Sequence, residues 1–224
     1  MASPLFDALS VQHSKNINDP VAAAATNGFR WTSAQRTYHL NEAIRRILKL
    51  YARVARLKLD AGVPASRELD FLDSYMAVEA QSLSNNTKAL SSWTGGVMEI
   101  LSAYNATDSL PVSRLKDTLY SHVQTGGNGF LTASTTRQYW LRDGSNFRLV
   151  DGGTTTGDSI SLRYIKPHTD LSAGGASDIL VTSPYWGLVL DMAMKVALEE
   201  NASSESVQTA QQKEAIVNAE INAQ

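Results

Sequence analysis

Cysteine is absent from all 224 residues, which excludes disulfide staples, thiolate catalysis and thiolate metal sites. No stretch approaches the roughly 20 apolar residues that a membrane-spanning helix needs. The first residues, MASPLFDALSVQHSKNINDP, also lack the basic start and continuous apolar run of a secretory signal. A protein that is soluble, or soluble until assembled, is expected. Histidine is scarce too: His13, His39, His122 and His168 are scattered, and none forms a helical metal pair or a His-Glu-x-x-His unit. Formal net charge is only −2, so the total carries no general pull toward nucleic acid.

Apolar residues are plentiful, at 43%, enough for one full core with or without extended arms. They concentrate first between Trp31 and Gly62, where Thr32 is placed to cap a long helix, Gln35 is its capping-box partner and Gly62 is the stop. At 100° per residue Leu40, Ile44, Ile47, Leu48, Tyr51 and Ala55 share one face. Arg45, Arg46, Lys49, Arg53 and Arg56 form a separate basic edge, while Leu50 and Leu57 widen the apolar surface. Such a helix is roughly 40 Å long, more than one small core needs, so it has surface to spare for a neighbour. Charge is unevenly spread: seven Lys or Arg against Glu42 between Arg36 and Lys58, but six acids against Lys195 and Lys213 from Asp191 onward. A basic helix and an acidic tail on one chain invite pairing.

Residues 1–30 read as an arm. After Gly62 the spacing of Leu69, Leu72, Tyr75 and Met76 suits a short helix, and the Ser/Asn-rich remainder up to Gly96 suits loop. Residues 97–106 alternate as a strand, and Leu115, Leu119 and Val123 fall at helical spacing before a glycine stop. Two strands flank Asp143-Gly144, a hairpin signal, and a third places Ile160, Leu162 and Tyr164 on one face. Together these suggest a small antiparallel sheet. A last helix is expected with Ser183 as cap and Pro184 at its first position, apolar almost all round and therefore buried on several sides. The tail from Ser203 has only a thin stripe of Val207, Ala210, Val217 and Ile221.

Little of this carries chemistry. Gly152 to Ser159 has the spacing of a phosphate loop, but Asp158 stands where lysine must be and a strand follows, so a turn is expected. Glu68 with Asp70, or Asp158 with Asp170, are acid pairs of the kind glycoside hydrolysis uses, and solvated loop acids are the default reading. The tryptophans Trp31, Trp93, Trp140 and Trp186 read as core residues.

The order of parts is more telling. The long helix with HLNEAIRRIL, the β-rich middle and the late helix PYWGLVLDMAMKVALEEN resemble the head-to-tail adaptor proteins of tailed bacteriophages. The run Leu-Asn-Glu-Ala-x-Arg-x-Ile, here Leu40 to Ile47, and the helix start from Tyr185 to Val189 look like that family's two ends. The similarity covers 31–60 and 159–200, the middle only by its position. What the resemblance implies is a mainly α, α+β fold: a bundle of long helices with a small antiparallel β-sheet or hairpin extension and extended N- and C-terminal arms. Residues 31–200 would form the adaptor domain, with a β-rich insertion at about 95–166, and 201–224 a C-terminal docking tail. It further implies a structural virion protein at the head–tail interface, assembled in the host cytoplasm. Such a protein forms a dodecameric ring between portal protein and tail (nozzle or hub) protein, and double-stranded DNA passes through the lumen without sequence-specific binding. No enzyme activity, cofactor, metal or membrane is expected. The spare apolar residues Leu50, Leu57, Tyr185, Trp186, Leu190, Met194, Val207, Val217 and Ile221 are the interface candidates. A nucleic-acid-binding module using the basic edge is the alternative, and a cell-wall glycosidase in a phage particle a third reading.

Overall fold

Helix α1, Ser33–Asp60, opens a computed structural model that describes residues 33–115, 123–124, 131–132, 136–150, 157–171, 181, 183–200, 211–212, 215 and 218–219. The expected cap Thr32, Trp31, the 1–30 arm and most of the tail lie outside the described residues. The stop is where the sequence puts it. Gly62 has φ +70°, its N–H donates to Leu59 O at 3.0 Å, and Val63 N–H reaches back to Lys58 O at 2.8 Å. This paired arrangement satisfies carbonyls that the helix end would otherwise orphan, and it needs a left-handed residue. Leu40, Ile44, Ile47, Leu48, Tyr51 and Ala55 are all buried, so the helical projection identified the core face.

The chain divides into two compact units. The helical unit takes the chain through Lys58, then Val63–Ser74, then His168 onward. It contains α1, the short helix α2, Ser66–Leu72, and α3, Trp186–Glu200. Ser183 and Pro184 belong to a 3-10 turn, Ser183–Tyr185, ahead of α3 rather than to its first α-turn. Leu188, Val189, Leu190, Met192, Ala193, Val196 and Ala197 are buried, as expected of a helix apolar on most sides. Three rings tie the unit together: Tyr51 of α1 stacks on Phe71 of α2 at 4.4 Å between centroids, and Tyr185 meets Phe71 edge-on at 5.0 Å.

The second unit, Leu59–Gly62 with Tyr75–Pro167, overturns the expected fold class. It is a seven-stranded mixed sheet, nearly closed into a barrel, and not a small antiparallel extension on a bundle of long helices. Among the described residues there are three α-helices. The strands are β1 Met76–Ser82, β2 Thr87–Ala89, β3 Glu99–Asn105, β4 Leu110–Arg114, β7 Tyr139–Asp143, β8 Asn146–Val150 and β9 Ser159–Ile165, in the order β1-β9-β3-β4-β7-β8-β2. Two short strands, β5 Val123–Gln124 and β6 Leu131–Thr132, pair separately. Neighbours in the large sheet run antiparallel except β4 and β7, which are parallel. The sheet begins at Met76, well ahead of the expected boundary near 95, because the Ser/Asn-rich stretch read as loop holds two strands. Leu110–Arg114 is likewise a strand where a helix leading to Leu119 was expected, and residues 116–122 lie outside the described set.

Curvature follows from connectivity. β1 and β2 are the two ends of the sheet order, yet only Leu83 to Asn86 join them. A few linking residues at about 3.5 Å each cannot span the roughly 29 Å width of a flat seven-stranded sheet, so the sheet must curl. The link is a two-residue turn: Ser84 and Thr87 exchange two 3.0 Å backbone hydrogen bonds across Asn85 (φ 48°) and Asn86 (φ 60°). Two successive positive φ values define a type I′ turn, whose twist suits paired strands. Inside the curl lie Trp93, Trp140, Phe147, Leu149, Ile160, Leu162 and Tyr164, with Trp140 and Phe147 stacked at 6.0 Å. The strand period of two sends Tyr139 and Leu141, the neighbours of Trp140, into a separate cluster with Leu115.

The turn gives a stability test. Asn85→Val forces a β-branched residue into the left-handed region and is expected to cost about 1–2 kcal/mol in urea unfolding, whereas Asn85→Gly leaves stability unchanged or slightly raised.

Candidate functional site

Two residues of the basic edge of α1, Arg45 and Arg46, are held in ion pairs. Glu42 accepts from Arg45 at 3.1 Å and from Arg46 at 2.9 Å, Arg46 also pairs with Glu199 of α3 at 2.7 Å, and Arg45 pairs with Asp170. Burial pushes the Glu42 carboxyl up, but the two guanidinium groups outweigh it and hold its pKa below the usual range. Lys49 and Arg53, four residues apart and exposed, remain on the solvent side of the edge. Glu42 and Arg46 stand four residues apart, the spacing at which helical ion pairs form, and Arg45 and Arg46 of the basic edge serve the fold.

One turn earlier is a buried polar node built from the same run. Asn41 Nδ2 donates to Leu171 O at 2.8 Å, and Leu171 N–H donates to Asn41 Oδ1 at 3.0 Å. This two-point clasp fixes the amide orientation, because each side-chain atom faces a backbone group of defined polarity. His168 Nε2 lies 3.0 Å from the same Oδ1, which can only accept, so Nε2 carries a proton and donates. Burial lowers the His168 pKa to about 4, with Asp170 opposing and Arg45 assisting. His39 is fully buried with Nε2 2.7 Å from Glu200 Oε2. Burial pulls its pKa below the ordinary value in spite of Glu200. Leu40, Ala43, Ile44 and Ile47 from this run sit in the core. Every described part of the Leu40–Ile47 motif is therefore structural.

The acids singled out for hydrolysis are engaged elsewhere. Glu68 is buried and accepts from Lys58 Nζ at 2.8 Å, and Asp70 accepts from the Tyr185 hydroxyl at 2.9 Å. Burial and that bond push the Tyr185 phenol up to about 12. Asp170 pairs with Arg45 in the helical unit, while Asp158 is buried in the sheet unit, 2.9 Å from Asn105 Nδ2. Asn105 also reaches Gln138 Oε1 at 2.9 Å and takes the Thr107 N–H on its Oδ1 at 3.0 Å. That node holds the β3–β4 turn, and sequence reading missed it because its members are spread from 105 to 158. The turn role of Asp158 supersedes any phosphate reading; Gly152 to Thr156 lie outside the described residues. Among the described residues no group of three His, Cys, Asp or Glu could hold a metal ion. No described helix is long and apolar enough to cross a membrane.

The interface candidates separate by exposure. Leu57 is 52% exposed, and Tyr38, Leu59 and Val63 join it as large exposed apolar residues of this stretch. Leu50, Tyr185, Trp186 and Met194 are partly buried, and Leu190 is buried within its own unit. Trp186 Nε1–H donates to Val181 O at 3.0 Å, and the Tyr185 ring packs on Phe71, so both have structural duties. Val207, Val217 and Ile221 lie outside the described residues, as do His13 and His122. On the sheet, Val78 and Tyr104 are exposed and were not anticipated. A strand signal in MAVEAQS, bounded by the Asn-Asn turn, would have found Val78.

No family model matches the chain, and no curated protein matches it either.

Two measurements test the node. Asn41→Leu strips the clasp from buried backbone groups and is expected to cost about 2–4 kcal/mol in urea unfolding, the sum of two unsatisfied partners. For His168 the folded pKa lies below the unfolded 6.5, so the unfolded chain binds more protons between them. Stability is full above about pH 6.5 and falls toward pH 4. His168→Gln, which can still donate to Asn41, is expected to flatten that decline in urea midpoints.

Proposed function

We propose that this protein is a structural connector of a tailed bacteriophage, forming a homo-oligomeric ring between the portal and the tail with the DNA passage through its lumen. The observation that carries the reading is the exposure of the apolar side chains Leu57, Leu59 and Val63 at and just beyond the end of α1. Leu57 and Val63 belong to the helical unit, where the described His39, His168, Glu68 and Asp170 are engaged in structural bonds. Leucine and valine exposed together at a helix end suit contact between copies better than solvent. The two stretches that resemble adaptor proteins, Leu40–Ile47 and Tyr185–Val189, belong to one unit, which supports reading them as parts of one building block. In this reading Lys49 and Arg53 supply positive charge toward an acidic partner or passing DNA, as cations without base-reading geometry.

Leu57→Asp is expected to abolish ring formation and portal association, seen by negative-stain imaging and mass measurement, with little change in the thermal melting of the subunit. Wild-type protein that forms neither a ring nor a portal complex would sink the proposal.

A further inference from the structure

The nearly closed sheet still has an open side, and it runs along β1. Lys166 N–H donates to Tyr75 O at 2.8 Å, and Met98 N–H donates to Ile165 O at 2.8 Å, which sets the phase of both ladders on β9. In an antiparallel pair alternate residues address the same neighbour. Residues 77, 79 and 81 therefore address β9, and the amides and carbonyls of Met76, Val78 and Ala80 point the other way. Among the described residues no backbone or side-chain group pairs with those of Val78 and Ala80. Val78 is 70% exposed on this edge.

Edge strands are normally blunted by proline, lysine, a bulge or an inward charge. β1, MAVEAQS, has no proline, no lysine and an unbroken seven-residue register with β9. Its one charge, Glu79, is occupied: the carboxylate takes the Thr94 N–H at 2.8 Å and the Tyr164 hydroxyl at 3.1 Å. The exposed edge thus offers a short apolar row of Met76, Val78 and Ala80, with the backbone groups of Val78 and Ala80 unmet among the described residues. What completes such an edge is another extended backbone with small or apolar residues at alternate positions, and β1 itself has that pattern.

We infer that two copies of this chain pair edge to edge through β1, antiparallel, with Val78 opposite Val78 of the partner subunit. In this register Met76 faces Ala80 of the partner subunit, and Glu79 faces Ala77 of the partner subunit. Shifted one ladder step one way the register would set Glu79 against Glu79 of the partner subunit, and one step the other way it would keep only Met76–Val78 of β1 in the pairing, so charge and ladder length together select the first. The contact is isologous and closes after two copies. It uses the sheet unit and not the α1 surface, so its failure leaves the ring reading untouched, and the reverse.

The cysteine-free sequence makes the test clean. Val78→Cys, Ala80→Cys and, as a control in the exposed β7–β8 turn, Ser145→Cys are oxidised mildly at equal concentration and run on non-reducing gels. Val78→Cys is expected to form a covalent dimer at least about 10-fold faster than the other two, since pairing raises the local thiol concentration. In this register two Ala80 positions lie about 13 Å apart, beyond disulfide reach. Equal rates for the three variants, or fastest cross-linking through Ala80→Cys, would overturn the inference. Val78→Lys in an otherwise unchanged chain should lower the two-copy fraction in sedimentation at unaltered circular dichroism. A wild-type chain that shows no two-copy contact by either method also overturns it.

Discussion

The pairing of β1 with β9 is the constraint on which the rest of the molecule depends. It holds over seven residue pairs, from Met76 with Ile165 to Ser82 with Ser159. One strand leaves the helical unit and the other returns to it, so the segment from Tyr75 to Pro167 begins and ends within one strand spacing. To the helical unit, an insertion of this kind costs no more closure entropy than a tight loop, because its own hydrogen bonds hold the ends together. That is how α1 and α2 can share a core with α3, which lies more than a hundred residues further along the sequence. The same pairing fixes which face of β9 is buried. Ile160, Leu162 and Tyr164 turn inward, and a slip of one residue would turn them out.

Polar chemistry in both units is spent on holding loops. In the helical unit Asn41 grips the backbone at Leu171, and Arg45 holds Asp170 beside it. In the sheet unit Asn105 performs the comparable task for its turn, with Gln138 and Asp158. Asparagine suits both places because one side chain offers a donor and an acceptor without a charge to desolvate. The buried His39 and His168 are kept neutral for the same reason. Exposed large hydrophobic residues, by contrast, include Leu57 and Val63 in the helical unit and Val78 and Tyr104 in the sheet unit.

How much of this could be read from the sequence depends on the range of the signal. The α1 core face and its Gly62 stop are local and periodic, and both stand in the structure. The β7–β8 hairpin was equally legible, although its turn centres on Gly144 and Ser145, with Gly144 alone at positive φ, so it is the type II′ variant. The mainly α fold class failed because strands such as Thr87–Ala89 and Leu110–Arg114 are too short to show a period. Leu115 and Val123 happened to fall at helical spacing as well. The small antiparallel sheet was misassembled for a different reason: β9 neighbours β1 and β3 and not the β7–β8 hairpin, a long-range choice no local pattern encodes. The site was harder still. Exposed apolar residues such as Leu57 could be named from the helical projection, but the commitment of Arg45 and Arg46 to Asp170 and Glu199 could not.

The β1–β9 ladder also sets an order of events during synthesis. Among the described residues β1 has no neighbour in the sheet other than β9, whose first residue lies 77 positions after the last residue of β1. Until the chain has been made past Ile165, the stretch Met76–Ser82 is a strand without a sheet. Contacts of such sequence separation form late and slowly, and an unpaired strand is the species that associates wrongly. The Asn85-Asn86 turn, whose hydrogen bonds between Ser84 and Thr87 are local, can form as soon as it emerges, but β1 itself waits for β9.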